Sequence, residues 1–169
     1  AKFAIHAGGQ ELPMHDSRLD PGYAIAYECE PTPGRHTISC YLYAGLFGVK
    51  HSFPAANRMM KKTKGKTARN VRLYAAGSFY MQLINCAGMC MFGAMTSRLP
   101  LVEYFNAVTG WDLSADAYFK TGERILSLRK ALEVRGDFGV CRISPTQWRP
   151  AITRQAEWPL ADLPAPDGR

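Results

Sequence analysis

The chain has 169 residues, 47% of them hydrophobic, which is enough for one domain with its own core and excludes a disordered chain. No apolar run reaches about 18 residues and no signal-peptide pattern opens the sequence, so we expect no transmembrane helix. The net charge of +7 comes entirely from residues 58–72, because the rest of the chain has as many acidic as basic side chains. This distribution argues against a globally basic nucleic-acid binder. Five cysteines without the spacing of a disulfide framework favour a reduced, cytoplasmic protein.

The N-terminal part of the chain predicts short elements joined by loops. Residues 3–12 predict a short strand and turn, and the proline-broken residues 11–18 predict a loop. Within that loop, His15 suits either ordinary hydrogen bonding or a catalytic role. Residues 21–30 predict a helix, which a Pro/Gly turn then ends. His36 follows this turn, a place where functional groups often lie, and an ordinary loop residue is the alternative.

The middle of the chain is harder to assign. Residues 37–53 are aromatic and β-branched, and they match the strand and helix templates equally poorly. Pro54 is expected to end this stretch. The basic segment, residues 58–72, contains no acidic residue and is expected to begin as a solvated loop. It suits a solvated face or a docking surface for an acidic protein better than a nucleic-acid contact, because it has no aromatic side chain to stack on bases.

Three helices are predicted in the second half of the chain. The first begins near Thr67 and carries one apolar stripe. That stripe consists of Val71, Ala75, Phe79 and Leu83. The second helix covers residues 99–109, and the third begins after a cap at Asp112 or Ser114 and runs to about Arg135. The predicted buried stripe of the third helix consists of Tyr118, Gly122, Ile125, Leu128 and Leu132.

These elements predict a mostly α fold. Residues 1–136 would form an irregular helical domain with a short N-terminal strand or extended segment. Residues 137–169 contain several prolines and little periodicity, so they predict an extended tail. Trp148 and Trp158 would pin that tail onto the domain.

Residues 85–93 predict a helix end followed by a turn. Gly88 can supply a left-handed backbone there, and Cys90 would follow the bend and present its thiol. Cys86, four residues earlier, is expected to be a packing residue. Two thiols are too few for a zinc ion or an iron–sulfur cluster, each of which needs about four ligands. The sequence contains no phosphate-binding glycine loop and no metalloprotease or nucleophile-elbow motif.

Five segments carry a pattern that is more specific together than any one segment is alone. They are Glu11–Arg18, Gly22–Tyr27, Gly34–His36, Asn85–Cys90, and Ala107–Asp112 with Gly122–Ile125. In this order they resemble five features of the aldehyde:ferredoxin oxidoreductase family, the tungsten–pterin enzymes. These features are an E-x-P-x-x-D-P-R segment, a G-x-x-L-A-Y helix, a following G-x-H, a D-x-x-G-L-C motif and the final helical part. The resemblance covers about residues 8–135 and implies a fold like the C-terminal helical domains of that family.

The resemblance also implies roles for particular residues. Cys90 stands at the position of a [4Fe-4S] ligand, the one remote from the other three. Asn85, Gly88 and Met89 stand where the family contacts its pterin, and His36 stands at a histidine near the metal that would give or take a proton. The implied activity is oxidation of an aldehyde to a carboxylate. Electrons would pass from a tungsten or molybdenum bis-pterin through the cluster to ferredoxin or another electron-transfer protein.

Two departures from the family pattern shape the hypothesis. Asn85 replaces the expected aspartate and loses its charge, and the chain contains no C-x-x-C-x-x-x-C motif for the other three cluster ligands. We therefore expect a fragment that needs an N-terminal domain of the same protein, binds neither cluster nor tungsten by itself and has no turnover. The alternative is a non-catalytic interaction domain that kept the fold and lost the cofactor site. Neither a membrane nor a nucleic acid is an expected partner, and a homodimer stays open.

Overall fold

The computed structural model describes residues 6–7, 10–15, 21–32, 34–37, 43–61, 64–96 and 99–135. Its elements are β1 His6–Ala7, β2 Gln10–Glu11, α1 Pro21–Cys29, α2 Tyr43–Leu46, α3 Val49–Ser52, α4 Pro54–Lys61, α5 Lys66–Cys86, α6 Met91–Ala94, α7 Leu101–Thr109 and α8 Ala115–Arg135. The expected mostly helical fold is confirmed. The described helices include none with the length and apolar character that crossing a bilayer requires. The predicted tail lies outside the described residues.

The chain divides into two compact units, with the boundaries after His36 and after Leu132. In the first unit, β1 and β2 pair antiparallel, with His6 opposite Glu11, so the predicted short N-terminal strand is confirmed. α1 follows, as predicted, and begins at Pro21, whose fixed φ suits the first turn of a helix. Tyr27 of α1 is buried, and its hydroxyl donates to the backbone carbonyl of His15 at 3.0 Å. This bond ties the loop before α1 to the helix.

The stretch that fits neither template is a series of short helices. α2 and α3 have four residues each, and Gly48 joins them with a left-handed φ of 60°. The predicted end of this stretch at Pro54 is confirmed, because α3 stops at Ser52. Pro54 is also the first residue of α4, where the missing N–H costs nothing. The prediction of a loop at the start of the basic segment is wrong, because α4 runs to Lys61.

Aromatic side chains form the core of the second unit. The ring of Phe53 lies 5.8 Å from that of Tyr80 in α5 and 5.6 Å from that of Phe119 in α8. Phe79 meets Phe119 edge-on at 5.5 Å. Phe53 is completely buried, which stabilises the fold by about 2 kcal/mol. Burial also raises the pKa of Tyr80 to about 12, because the phenolate would lose its hydration.

Helix α5 has two halves with different surroundings. Its first two turns are exposed on almost every side, and Val71 is 50% exposed, so the predicted apolar stripe is wrong at this position. The later turns are enclosed nearly all round. Their buried residues are Ala76, Gly77, Ser78, Tyr80, Met81, Gln82, Leu83 and Ile84. The buried amide of Gln82 is satisfied, since its Oε1 accepts from Arg129 at 2.9 Å.

Helix α8 crosses α5 closely at Gly122. A Cβ on this glycine would lie 2.2 Å from the backbone oxygen of Phe79, so no other residue fits without moving a helix. The predicted buried stripe of α8 is confirmed at Tyr118 and Gly122. It is wrong at Leu128 and Leu132, which are 62% and 40% exposed. The stripe is apolar along its whole length, but only its first half is covered.

A single carboxylate connects α8 to α4. Oδ1 of Asp116 accepts from the backbone N–H of Ala55 at 2.7 Å, and Oδ2 pairs with the guanidinium of Arg58. Ala55 lies in the first turn of α4, where backbone N–H groups have no partner within the helix. Asp116 also lies in the first turn of α8, so its negative charge interacts favourably with the positive dipole ends of both helices. The hydrogen bond from Arg58 is the main cause that lowers the pKa of Asp116.

Replacing Gly122 by alanine is expected to lower the free energy of unfolding by about 1–3 kcal/mol, because the added methyl group overpacks against backbone atoms. Urea denaturation of the whole chain measures this loss. Gly45→Ala is the matched control, because a Cβ at Gly45 meets nothing within 4 Å. The close crossing would be contradicted if the two variants had equal stabilities.

Replacing Asp116 by asparagine is expected to cost up to about 1 kcal/mol at neutral pH, since the ion pair with Arg58 is partly exposed. The folded pKa of Asp116 lies below its ordinary value of 3.8. Its charge therefore stabilises the protein above that value, and this contribution disappears as the pH falls through the folded pKa. Urea midpoints measured from neutral to acidic pH should converge for the two proteins. A difference that stays constant with pH would show that the charge is not responsible.

Candidate functional site

The candidate site lies where α5 ends. The backbone N–H of Gly88 donates to the carbonyl of Asn85, and that of Met89 donates to the carbonyl of Ile84, both at 3.1 Å. This pair of bonds is a Schellman motif, which requires a left-handed residue after the helix. Gly88 supplies it with a φ of 66°, so the predicted left-handed turn is confirmed.

Cys90 follows this turn in an extended conformation and precedes α6, with φ −74° and ψ 135°. Its thiol is exposed. Cys86 is exposed as well, so its prediction as a packing residue is wrong. The reason is that the buried run of α5 stops at Ile84, two residues before Cys86.

The exposed side chains of residues 85–95 form a surface that we call the Cys90 edge. Besides the two thiols, Asn85 is exposed, Phe92 is 71% exposed and Met95 is 37% exposed. Large apolar side chains beside exposed thiols are unusual on a surface that faces only water, and such a patch is typical of a contact surface.

The Cys90 edge has a distinct polarity. The N–H groups of Gly88 and Met89 are used within the turn, and the C-terminal end of α5 carries the negative pole of the helix dipole. Asn85 adds an exposed amide, whose oxygen accepts hydrogen bonds. The edge therefore suits a ligand that presents N–H donors rather than an anion.

The residues at the Cys90 edge do not form a complete metal site. Within the described ranges, no group of three or more His, Cys, Asp or Glu side chains converges on one point. A [4Fe-4S] cluster takes four ligands, so Cys90 could supply one and the other three would have to come from elsewhere. The described residues fit one wall of such a site.

His36 belongs to the first unit, where it meets two other rings. The imidazole of His15 lies 4.7 Å from that of His36, and it stacks almost parallel on Tyr23 at 4.5 Å. Burial, and secondarily the charge of His15, lower the pKa of His36 from 6.5. His36 is therefore neutral at pH 7, and a neutral imidazole can accept a proton.

The predicted site residues thus fall into two groups. Asn85, Gly88, Met89 and Cys90 lie together around one turn, whereas His36 lies in the other unit. The sequence left the role of His15 open and did not indicate Tyr23, although both rings lie near His36. No local sequence pattern indicates that these three rings meet, because α1 separates His15 from His36 along the chain.

Comparison with known proteins gives a family match over most of the chain. The family model described as "Aldehyde ferredoxin oxidoreductase, domains 2 & 3" matches residues 1–155. No solved structure shows a significant match.

Curated relatives give the same answer at low identity. The tungsten-containing aldehyde ferredoxin oxidoreductase of Thermococcus kodakarensis is 25% identical over 137 residues, which cover 79% of this chain and 21% of that protein. The proteins of the same name from Pyrococcus horikoshii and Pyrococcus furiosus are 26% and 24% identical over 129 and 135 residues. They are covered to 20% and 21% of their lengths. The chain therefore spans about a fifth of the length of the relatives that it matches.

Replacing His15 by phenylalanine is expected to raise the pKa of His36 towards 6.5 without reaching it. The change removes the charge of His15, but burial, the larger cause, remains. Phenylalanine keeps a ring that can stack on Tyr23. An NMR titration of the imidazole C–H signals measures the pKa in both proteins.

The lowered pKa of His36 also determines how the stability of the fold depends on pH. With a folded pKa below 6.5, the unfolded chain takes up the proton first, so stability should fall as the pH drops below 6.5. Identical titrations of His36 in the two proteins would contradict a role for His15.

Proposed function

Because the chain belongs to the aldehyde ferredoxin oxidoreductase family, we propose that it forms one wall of the cofactor site of a tungsten-dependent aldehyde oxidoreductase. The observation that carries this proposal is the turn at Gly88, which ends α5 and leaves the Cys90 thiol exposed in an extended segment. The names of the curated relatives, all tungsten-containing enzymes, support the choice of metal. The whole activity would require the segments that these relatives have beyond the matched fifth of their length.

Each residue of the Cys90 edge would have a separate task. Cys90 would bind one iron of a [4Fe-4S] cluster as a thiolate, and Gly88 would hold the turn that presents it. The amide oxygen of Asn85 would accept a hydrogen bond from a pterin N–H. A bound tungsten–pterin and its cluster would supply the oxidation of an aldehyde to a carboxylate and pass the electrons to ferredoxin.

Asn85 is compatible with this role. A carboxylate at this position would face the negative end of the α5 dipole, which disfavours an anion. The asparagine avoids that repulsion and keeps one acceptor oxygen, but it gives up the stronger, charge-assisted hydrogen bond of an aspartate. We therefore propose that the chain retains a weaker pterin contact at Asn85.

His36 would act as a proton acceptor in the same enzyme. Oxidation of an aldehyde with water to a carboxylic acid releases two protons and two electrons, so a base near the reacting carbon is needed. A histidine that is neutral at pH 7 can take one of these protons at a ring nitrogen. Its neighbours His15 and Tyr23 would orient the imidazole through ring contacts.

A second function is favoured by one observation. The Cys90 edge lacks three of the four cluster ligands within the described residues, and Asn85 has lost the carboxylate of the family pattern. The same fold would then serve as a non-catalytic interaction domain. The two functions differ in metal content.

The experiment is a metal analysis of the native polypeptide that carries this sequence, purified from cells grown with both tungstate and molybdate. The enzymatic function predicts one tungsten or molybdenum and about four irons per polypeptide. It also predicts aldehyde-dependent reduction of an electron-accepting dye. A polypeptide without tungsten, molybdenum and iron would reject this function and leave the interaction domain.

Replacing Cys90 by serine in that native polypeptide is expected to lower the bound iron from about four to about three or fewer, because a serine oxygen is a poor substitute for a thiolate on a cubane cluster. The electron paramagnetic resonance signal of the reduced cluster should change accordingly.

Cys86→Ser is the matched control, since both thiols are exposed and lie four residues apart around the same turn. It should leave the iron content and the signal unchanged. If both variants lost iron equally, Cys90 would have no special role as a ligand.

A further inference from the structure

The basic segment is the most strongly charged surface of the described chain. It covers the end of α4, the turn at Gly65 and the first two turns of α5. Its cations Lys61, Lys64, Lys66, Arg69 and Arg72 are all exposed. Arg58, at the start of the segment, pairs with Asp116 of α8.

The first turns of α5 make this accumulation costly. Basic side chains at a helix N-terminus face the positive end of the helix dipole, and α5 has no acidic residue in its first turn. Gly65 precedes the helix without a side-chain cap. Charges that repel one another and the helix do not contribute to the stability of this chain, so they need another explanation.

The same turns of α5 have two chemically different faces. Lys66, Arg69 and Arg72 follow one another at three-residue intervals and form a stripe about 9 Å long. Ala68, four residues before Arg72, and Val71 lie on the adjoining face, and both are exposed. The surface therefore combines a row of cations with a small apolar strip.

We propose that the basic segment is a docking surface for an acidic protein, which would pair carboxylates with the cations and cover Val71. Charge complementarity sets the sign of the partner. Nucleic acid fits less well, because the segment has no aromatic side chain to stack on bases. A membrane surface fits less well too, because Ala68 and Val71 offer little apolar area compared with the bulky side chains that anchor interfacial helices.

This docking surface is separate from the Cys90 edge. The two surfaces lie at opposite ends of α5, and a helix of 21 residues is about 30 Å long. A partner bound at the basic segment therefore leaves the Cys90 edge accessible. The proposal does not depend on metal binding, so it can fail or succeed independently of the proposed function.

The test measures binding of the whole chain to three labelled probes by fluorescence anisotropy. The probes are a helical peptide of glutamate and leucine, a single-stranded RNA of equal charge, and phosphatidylserine vesicles. The peptide is expected to bind most tightly at physiological salt. The triple variant Lys61→Gln, Lys64→Gln, Lys66→Gln should weaken peptide binding about tenfold.

A second triple variant provides the matched control, because it removes the same charge from exposed sites outside the segment. In Lys50→Gln, Lys120→Gln, Arg124→Gln, peptide affinity should stay within about twofold, since distant surface charges are screened. Val71→Ser should weaken peptide binding but not RNA binding.

The proposal is overturned if RNA or vesicles bind more tightly than the peptide, if the two triple variants weaken binding equally, or if Val71→Ser has no effect on peptide binding. Circular dichroism of each variant checks that the helix content is retained. A variant that has lost its helices is replaced by the corresponding single substitutions, to which the same criteria apply.

Discussion

The close approach of α5 and α8 at Gly122 is the constraint on which the second unit depends. The backbone of Phe79 occupies the place where any other residue would carry its Cβ. This approach brings Phe119 against Phe79 and Phe53, which places the loop before α4 on the same core. One small residue thereby fixes the later half of α5, and with it the position of the turn that carries Cys90.

Helix α5 joins two surfaces of opposite character. Its N-terminal end gathers exposed cations, and its C-terminal end offers acceptor groups and two thiols. Neither arrangement stabilises the fold. The positive end of the helix dipole disfavours cations at the first end, and the thiols at the second end are exposed and so contribute no burial energy. Helix α8 shows the stabilising arrangement, because the carboxylate of Asp116 lies at the N-terminal ends of both α4 and α8.

Local signals in the sequence were sufficient for the elements whose ends are determined by neighbouring residues. Gly88 requires a left-handed turn wherever the helix lies, and Ser114 accepts from the N–H of Ala117 at the start of α8 as a cap should. Pro54 shows what such local signals leave undecided, because a proline suits both the end of one element and the beginning of the next. Both roles are consistent with the same sequence.

Burial and side-chain contacts that depend on residues distant in the sequence were predicted less well. Periodicity shows which face of a helix is apolar, but it does not show that another element covers it, and Leu128 and Val71 are exposed for this reason. The ring contact between His15 and His36 joins residues on either side of a helix, so no local spacing could reveal it. The position of Cys90 was predictable from the sequence, whereas the exposure of Cys86 was not.

The unequal surroundings of α5 imply unequal lifetimes for its backbone hydrogen bonds. The first turns have water on nearly all sides and gain little from packing, so they can open and close while the enclosed turns stay intact. Amide protons near Lys66 would exchange with solvent long before those near Met81, which is almost completely buried. The helix is thus rigid near the thiols and frays at its basic end. A partner that ordered the fraying turns would bind at an entropic cost and could release quickly.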